Sequence, residues 1–119
     1  MTFALVALGD APFDLDFTLA STATYGTEAR KDINGTQLLW SGDVTFNGAV
    51  KYTGSGNDRD PILQALGGVV PTATITGYQQ EDVNMDGTVK YTGAANDRDP
   101  ILQNIGGVVP TATRVEQLP

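Results

Sequence analysis

The chain contains two copies of one segment. Residues 43–76 (repeat one) read DVTFNGAVKYTGSGNDRDPILQALGGVVPTATIT, and residues 82–115 (repeat two) read DVNMDGTVKYTGAANDRDPILQNIGGVVPTATRV. The copies are offset by 39 residues and identical at 24 of 34 positions. Self-similarity at a fixed period indicates that one structural unit occurs twice, so features that both copies share belong to that unit.

Repeat two opens with oxygen-bearing side chains at alternate positions. Asp82, Asn84 and Asp86 occupy loop positions 1, 3 and 5, and Gly87 follows at position 6. In a calcium-binding loop, alternate side chains turn toward the ion and the glycine permits a sharp bend. Calcium takes about six to eight oxygen ligands, and position 7, here Thr88, contributes its backbone carbonyl.

The acid that completes such a loop comes late in this sequence. Position 12, which is acidic in the standard loop, is a glycine, and the next acids lie in the segment NDRDPIL at 96–102. Pro100 is tolerated in a first helical turn, so this segment predicts a helix that Asn96 or Asp97 caps. We expect Asp99 to turn back and close the site, with Asp97 as the alternative.

Repeat one carries a weaker version of the same pattern. Its candidate ligands are Asp43, Thr45, Asn47, the carbonyl of Ala49, Asp58 and Asp60. Repeat one can gather three carboxylates and repeat two can gather four, and calcium affinity depends on ligand charge. We therefore expect two calcium ions, with the second repeat binding more tightly. In the alternative interpretation, Asn-Gly and Asp-Gly mark tight turns and bind nothing.

Apolar residues beside these loops are expected to form the core. Val89, at position 8, should point away from the ion, and Ile101, Leu102 and Ile105 should form the inner face of the helix. Each copy then ends in Gly-Gly-Val-Val-Pro-Thr-Ala-Thr, in which the glycine pair predicts the end of the helix and the β-branched residues predict an extended tail.

The N-terminal third has the character of β structure. The apolar run 2–8 is too short to span a bilayer and lacks the basic start of a secretion signal, so it predicts a buried strand. Residues 13–19 alternate between apolar and polar side chains, which predicts a second strand. Asn34-Gly35 predicts a hairpin turn, which also explains the glycosylation sequon formed by residues 34–36.

These elements together predict an α+β fold. N-terminal strands and a hairpin are followed by two units, each made of a calcium loop, a short helix and an extended tail. We expect an N-terminal β segment at 1–40, the first calcium-loop repeat at 41–79 and the second at 80–119, all in one compact unit.

Charge and composition narrow the functional classes. The formal charge of −7, from 14 acidic and 7 basic residues, argues against nucleic acid or an anionic membrane as a partner. The sequence has no cysteine and no histidine, which excludes disulfides, thiolate metal sites and histidine-based catalysis. Two acidic pairs could in principle hydrolyse a glycoside, Asp14 with Asp16 and Asp97 with Asp99. The first lies on the polar face of a predicted strand and the second suits calcium, so we expect no enzyme.

Two sets of motifs carry a resemblance over residues 25–119. The D-x-N-x-D-G pattern of repeat two and its weaker D-x-T-x-N-G counterpart in repeat one, each followed by a short helix, resemble the dockerin type I module, a duplicated EF-hand-like calcium loop and helix. The string Y-T-G-x-x-N-D-R-D-x-I-L and the Leu-Pro ending resemble C-terminal regions of large secreted cell-surface proteins of Bacteroidota. The resemblance implies as ligands Asp82, Asn84, Asp86, the Thr88 carbonyl and Asp99, with Asp43, Thr45, Asn47, the Ala49 carbonyl and Asp60 in repeat one.

The resemblance also implies an extracellular, cell-surface location and a chain that belongs to a longer precursor, so that Met1 need not be the biological start. Residues 2–8 would then be available to add to a sheet edge of a neighbouring copy, which produces a head-to-tail filament. Two functions follow. One is a calcium-stiffened structural module that assembles with itself, and the other is an adaptor that docks another surface protein.

Overall fold

The computed structural model describes residues 2–7 and 9–115. Within these residues the chain forms two short helices and three two-stranded antiparallel sheets, in agreement with the predicted α+β class. In chain order the elements are β1 (Lys31–Ile33), β2 (Thr36–Leu38), β3 (Val50–Lys51), α1 (Arg59–Ala65), β4 (Thr74–Thr76), β5 (Thr88–Lys90), α2 (Arg98–Asn104) and β6 (Thr113–Arg114). An N-terminal unit ends at Trp40, and a second unit, Ser41–Val115, contains both repeats.

The hairpin of the N-terminal unit is confirmed. Ile33 and Thr36 face each other across the two-residue connection between β1 and β2. Asn34 and Gly35 both have positive φ, +54° and +87°, as a tight hairpin turn with the twist of the strands requires. Asp32 accepts the backbone N–H of Gly35 through Oδ1 at 3.1 Å, which fixes the turn from within.

The alternating segment 13–19 is not a strand, so that prediction is wrong. Asp16 bends the chain, because its Oδ1 accepts both the backbone N–H and the hydroxyl of Thr18, at 2.8 and 2.6 Å. Arg30 then donates from its guanidinium to two carbonyls that a sheet would have paired, those of Phe17 and Leu19, and also to that of Thr22 beyond the segment. Local and guanidinium hydrogen bonds thus replace the ladder, and the apolar side chains of the segment remain exposed.

The apolar run 2–8, whose last residue lies outside the described ones, does not form the predicted buried strand. Thr2 makes one isolated antiparallel bridge with Thr24, and no ladder continues from it in the described residues. Phe3 and Leu5 are exposed. A strand is buried only when a partner strand and a covering apolar layer are both present, and this segment has neither among the described residues of its unit.

The second unit is held together by strands that join one repeat to the other. The tail of repeat one, β4, pairs with β5 in the opening loop of repeat two. The tail of repeat two, β6, pairs in turn with β3 in the opening loop of repeat one. The same reciprocity appears in side chains, because Thr53 Oγ1 donates to the carbonyl of Pro110 and Thr92 Oγ1 to that of Pro71, both at 2.9 Å.

The core of this unit lies between the loop strands and the helices. Its fully buried apolar side chains are Val50, Ile62, Val89 and Ile101. The expected burial of Val89, Ile101 and Ile105 is confirmed, whereas Leu102 is only partly covered. The glycine pairs end both helices as predicted. In α1 the N–H of Gly67 and that of the next residue donate back into the last turn, at 2.9 and 2.8 Å.

No helix among the described residues is long and apolar enough to cross a membrane.

Candidate metal centre

The first aspartate of each loop draws the loop into a tight bend. Asp82 accepts the backbone N–H of Asp86 through Oδ1 at 3.1 Å and that of Gly87 through Oδ2 at 2.8 Å. Asp43 makes the two equivalent bonds in repeat one, at 3.1 and 2.9 Å. Position 1 therefore organises positions 5 and 6 through the backbone in both copies.

Each loop contains two left-handed residues, two positions apart. Gly87 and Gly48, at position 6, have φ of +83° and +78°, as the glycine in the motif predicts. Met85 and Phe46, at position 4, also have positive φ, +61° and +53°, although both carry side chains. Such a conformation costs a non-glycine residue about 1–3 kcal/mol. Nothing in the sequence of position 4 indicates it.

Position 7 lies where each loop becomes a strand. Thr88 is the first residue of β5, and its N–H donates to Asp86 Oδ1 at 2.9 Å. Ala49 directly precedes β3, and its N–H donates to Asn47 Oδ1 at 3.0 Å. The side chain at position 5 thus fixes the peptide that leads to the predicted carbonyl ligand in both repeats.

Asp97 joins the start of α2 to the loop. Its Oδ1 accepts the N–H of Asn84 at 3.2 Å, and its Oδ2 accepts that of Lys90, in β5, at 2.7 Å. Asp58 makes the equivalent bonds in repeat one, at 3.0 and 2.8 Å. Both side chains are 0% exposed. One buried carboxylate in each repeat therefore ties the loop, its strand and the following helix together.

These buried carboxylates have no cationic partner among residues 2–7 and 9–115, and Arg59 pairs with Asp60 instead, at 3.3 Å. Burial raises the pKa of Asp97 above its ordinary value, and the negative charge of Asp82 raises it further. The pKa of Asp58 is raised for the same reasons, by burial and by the charge of the neighbouring Asp43. Each loop thus holds two mutually repelling carboxylates, and no cationic side chain in the described part of the chain forms an ion pair with them.

Asp99 lies on the open side of the same loop. Together with Asn84 and Asp86 it lines a depression of about 370 Å³. The second repeat therefore has an inner pair of acids, Asp82 and Asp97, and an outer group at positions 3 and 5 with Asp99. The structure brings each of the sequence-predicted acids of repeat two to one of these two groups.

A reciprocal pair of side chains starts each helix. Asn96 accepts the N–H of Asp99 at 3.0 Å and returns an amide hydrogen bond to its carboxylate at 2.8 Å. Asn57 and Asp60 form the same pair in repeat one, both bonds at 2.9 Å. Asp97, at the N-cap position, makes no side-chain cap. The N-x-x-D spacing is a capping signal, so it favours Asn96 over Asp97 as the side-chain cap.

Repeat one has the same arrangement of loop, strand and helix but fewer charged side chains. The hydroxyl of Thr45 donates to Asp58 at 3.0 Å, and the amide of Asn47 donates to the carbonyl of Gly56 at 3.2 Å. Asn47 thus stands where repeat two has the Asp86 carboxylate. The outer group of repeat one is consequently poorer in negative charge.

The donor set matches a hard cation. Carboxylate, amide, hydroxyl and backbone carbonyl oxygens are the ligands that calcium prefers, and a carboxylate oxygen that accepts one N–H keeps a further lone pair. In the part of the chain that the structure describes, no three acidic side chains converge as a ready-made metal cage. The residue types therefore fit calcium, and coordination requires the outer side chains to turn inward.

In comparisons with protein-family models, characterised proteins and solved structures, none matches this chain. The assignment of a function to the loops accordingly depends on their own geometry and chemistry.

Proposed function

We propose that residues 41–115 form a non-catalytic module with two calcium sites. The observation that carries this proposal is the arrangement of acids in each loop: a buried carboxylate, Asp97 or Asp58, lies beside a half-buried one, Asp82 or Asp43, and no cationic side chain of the described residues pairs with them. Taking a charged carboxylate out of water costs roughly several kcal/mol unless a partner charge compensates it. A bound cation supplies that compensation, and oxygen ligands at alternate loop positions select calcium.

Asp97 is the better candidate for the closing ligand of the second site. It lies next to Asp82 and already accepts hydrogen bonds from the loop at position 3 and from β5. The carboxylate of Asp99 already accepts a hydrogen bond from the amide of Asn96, and it faces the outer depression. We therefore assign the inner position to Asp97 and an outer position to Asp99, beside the Asn84 and Asp86 side chains and the Thr88 carbonyl.

Calcium titration calorimetry on protein stripped with EDTA tests the proposal. Two binding events of unequal affinity are expected, with the tighter one in repeat two because it has more carboxylates. Asp82→Ala should remove the tighter event, whereas Asp14→Ala, which changes the net charge equally outside the repeats, should leave both in place. Absence of binding heat, with no calcium retained after gel filtration, would overturn the proposal.

A structural role outside the cell suits such a module. The exposed apolar run 2–7 belongs to an acidic chain, and Thr2 alone makes a strand bridge in that run. These features support self-assembly in which residues 2–8 add to a sheet edge of a neighbouring copy. Fibres seen by electron microscopy in calcium, and dissolved by EDTA, are the expected result; a monomer at every concentration would contradict it.

One observation favours the adaptor function as a second candidate. Both repeats expose the same apolar pair, Val69-Val70 and Val108-Val109, and the first valine of each pair is 83% exposed. Two equivalent apolar patches on an acidic module suit a receptor module on another surface protein. The double variant Val69→Asp and Val108→Asp should then lose receptor binding while its calcium titration stays that of the unaltered protein.

A further inference from the structure

We propose that copies of this chain exchange repeats, so that repeat one of one molecule pairs with repeat two of the next. It goes beyond the function proposed above, because it places the contact between copies in the repeats instead of in residues 2–8. The partner is a second copy of the same chain.

The strand pairing of the second unit is the main observation. Among the described residues, both of its ladders join different repeats, β3 with β6 and β4 with β5, and neither repeat forms a ladder within itself. A repeat separated from its partner therefore leaves both a loop strand and a tail strand unpaired. Unpaired strand edges recruit other strands, and a repeat of this type fits both edges at once, because it carries the loop strand and the tail strand that pair with them.

Contacts outside the ladders have the same reciprocal character. The hydroxyls of Thr53 and Thr92 each reach a proline carbonyl of the other repeat, at equal distances of 2.9 Å. Helices α1 and α2 also contact each other directly. All these groups lie on the repeats themselves, so a repeat from another copy can supply the same contacts.

The connection between the repeats is short and exposed. Residues 77–81 link β4 to the loop of repeat two, with Gly77 at φ +113° and the side chain of Tyr78 fully exposed. Three hydrogen bonds hold it among the described residues: Gly77 N–H donates to the carbonyl of Gly87 at 3.1 Å, Asp82 N–H donates to that of Gln79 at 3.2 Å, and the Gln80 amide donates to that of Val44. Hinges of exchanging proteins are segments of this kind, in which a few residues absorb the change in φ and ψ.

Exchange can close or propagate. When two copies exchange both repeats they form an intertwined dimer in which every interface of the monomer is rebuilt. When repeat two of one copy engages repeat one of the next without closing, the free repeat at each end recruits a further copy, and a head-to-tail chain results. Since the interfaces are the same in all three forms, concentration and the geometry of the link decide among them.

Engineered cysteines report the exchange, because the natural sequence contains none. Lys51 and Thr113 face each other across β3 and β6, and facing side chains in such a pair have Cβ atoms about 4.5–5.5 Å apart, close to disulfide distance. In the full chain with Lys51→Cys and Thr113→Cys, oxidation should give internally bridged monomer in dilute solution. Concentrated protein should give a ladder of covalent dimers and larger species on a non-reducing gel.

Two further variants sharpen the result. Deleting residues 78 and 79 shortens the link and keeps Gln80, which donates to the carbonyl of Val44. In that background the intermolecular fraction in dilute solution should rise at least tenfold. As a matched control, Asp32→Cys with Gln37→Cys bridges the local β1–β2 hairpin, which cannot exchange repeats. That pair should stay within one chain at every concentration.

The outcomes separate exchange from the other proposals. A ladder that persists when residues 2–8 are deleted supports repeat exchange, and a ladder that disappears in that variant overturns it in favour of strand addition. Bridged monomer alone at all concentrations, in both the full-length and shortened links, overturns it as well. Titration calorimetry of the same protein measures calcium binding separately. If the protein binds no calcium, the proposed calcium sites are wrong, whatever the gel shows about exchange.

Discussion

The same carboxylate serves two purposes in each repeat. Asp97 holds the loop to β5 through hydrogen bonds, and with Asp82 it also supplies charge that no described cationic side chain compensates. The motif spacing predicted which residues would meet, because positions 1, 3 and 5 are defined locally. It favoured Asp99 as the closing ligand, with Asp97 as the alternative, and the choice between them depends on how an inserted turn presents the helix to the loop.

Asp97→Asn should weaken calcium binding in repeat two much more than Asp99→Asn. The first change removes an inner charge next to Asp82 at nearly constant shape, whereas the second removes an outer charge that the Asn96 amide already engages. We expect at least a tenfold rise in Kd for Asp97→Asn, which corresponds to about 1.4 kcal/mol. Isothermal titration of both variants measures this, and a larger loss for Asp99→Asn would reverse the assignment.

The pH dependence of stability should have opposite signs without and with calcium. In calcium-free protein the raised pKa values of Asp97 and Asp58 mean that the folded state binds protons more readily than the unfolded state. The free energy of unfolding should therefore increase as pH falls from neutral through the folded pKa values toward 3.8, the ordinary aspartate value. With calcium bound, protons compete with the ion and stability should decrease over the same range.

Urea unfolding in EDTA and in calcium, at several pH values, measures these slopes. The double variant Asp58→Asn and Asp97→Asn serves as the control, because its difference from the unaltered protein isolates these two groups from Asp16, whose lowered pKa acts in the opposite direction. Equal slopes for the variant and the unaltered protein in EDTA would contradict the interpretation.

At the level of elements, local signals were sufficient for the hairpin and the helices. Asn34-Gly35 adopts positive φ in its turn and is held by the Asp32 side chain, and the glycine pairs end the helices with positive φ and local hydrogen bonds. The alternating pattern of residues 13–19 gave a wrong prediction, because a strand also needs a partner strand and an apolar layer that covers it. Arg30, which lies 13 residues from Phe17 along the chain, supplies donors to this segment instead, and no local pattern reveals such a distant contact.

Gly42→Ala should destabilise the second unit. A Cβ at this position would lie 3.3 Å from side-chain atoms of both Val50 and Ile101, and φ is +110°. Crowding of the core and backbone strain act together here, so we expect a loss of about 1–3 kcal/mol in the free energy of unfolding. Gly9→Ala is the matched control, since a Cβ there meets nothing within 4 Å. Equal urea midpoints for the two variants would show that the site tolerates a side chain.

At the scale of the whole molecule, the second unit has to fold as one body because each repeat completes the sheets of the other. The duplication predicted two equivalent units, but it did not reveal that the strands of each repeat pair with strands of the other. Hydrophobic pattern and spacing describe one repeat at a time, whereas the β3–β6 and β4–β5 pairings depend on how two repeats approach. Loss of an ion at one loop should consequently be felt across the unit.

Asp82→Ala should lower the melting temperature in calcium more than Asp43→Ala does. A ligand that binds only the folded state stabilises it in proportion to the logarithm of ligand concentration over Kd, so the tighter site contributes more. Both variants should show a single unfolding transition, because the strand pairs between the repeats couple their unfolding. Differential scanning calorimetry in excess calcium checks this. A larger loss for Asp43→Ala would reverse the ranking of the sites, and two separate transitions would contradict the coupling.

Native mass spectrometry of the calcium-loaded chain counts bound ions, so it gives the number of calcium sites in one experiment. We expect two calcium ions on the unaltered protein, one on Asp82→Ala and one on Asp43→Ala, with magnesium retained far less well than calcium. A protein that carries no calcium above the level of the EDTA-treated control would show that both loops are turns held by hydrogen bonds alone.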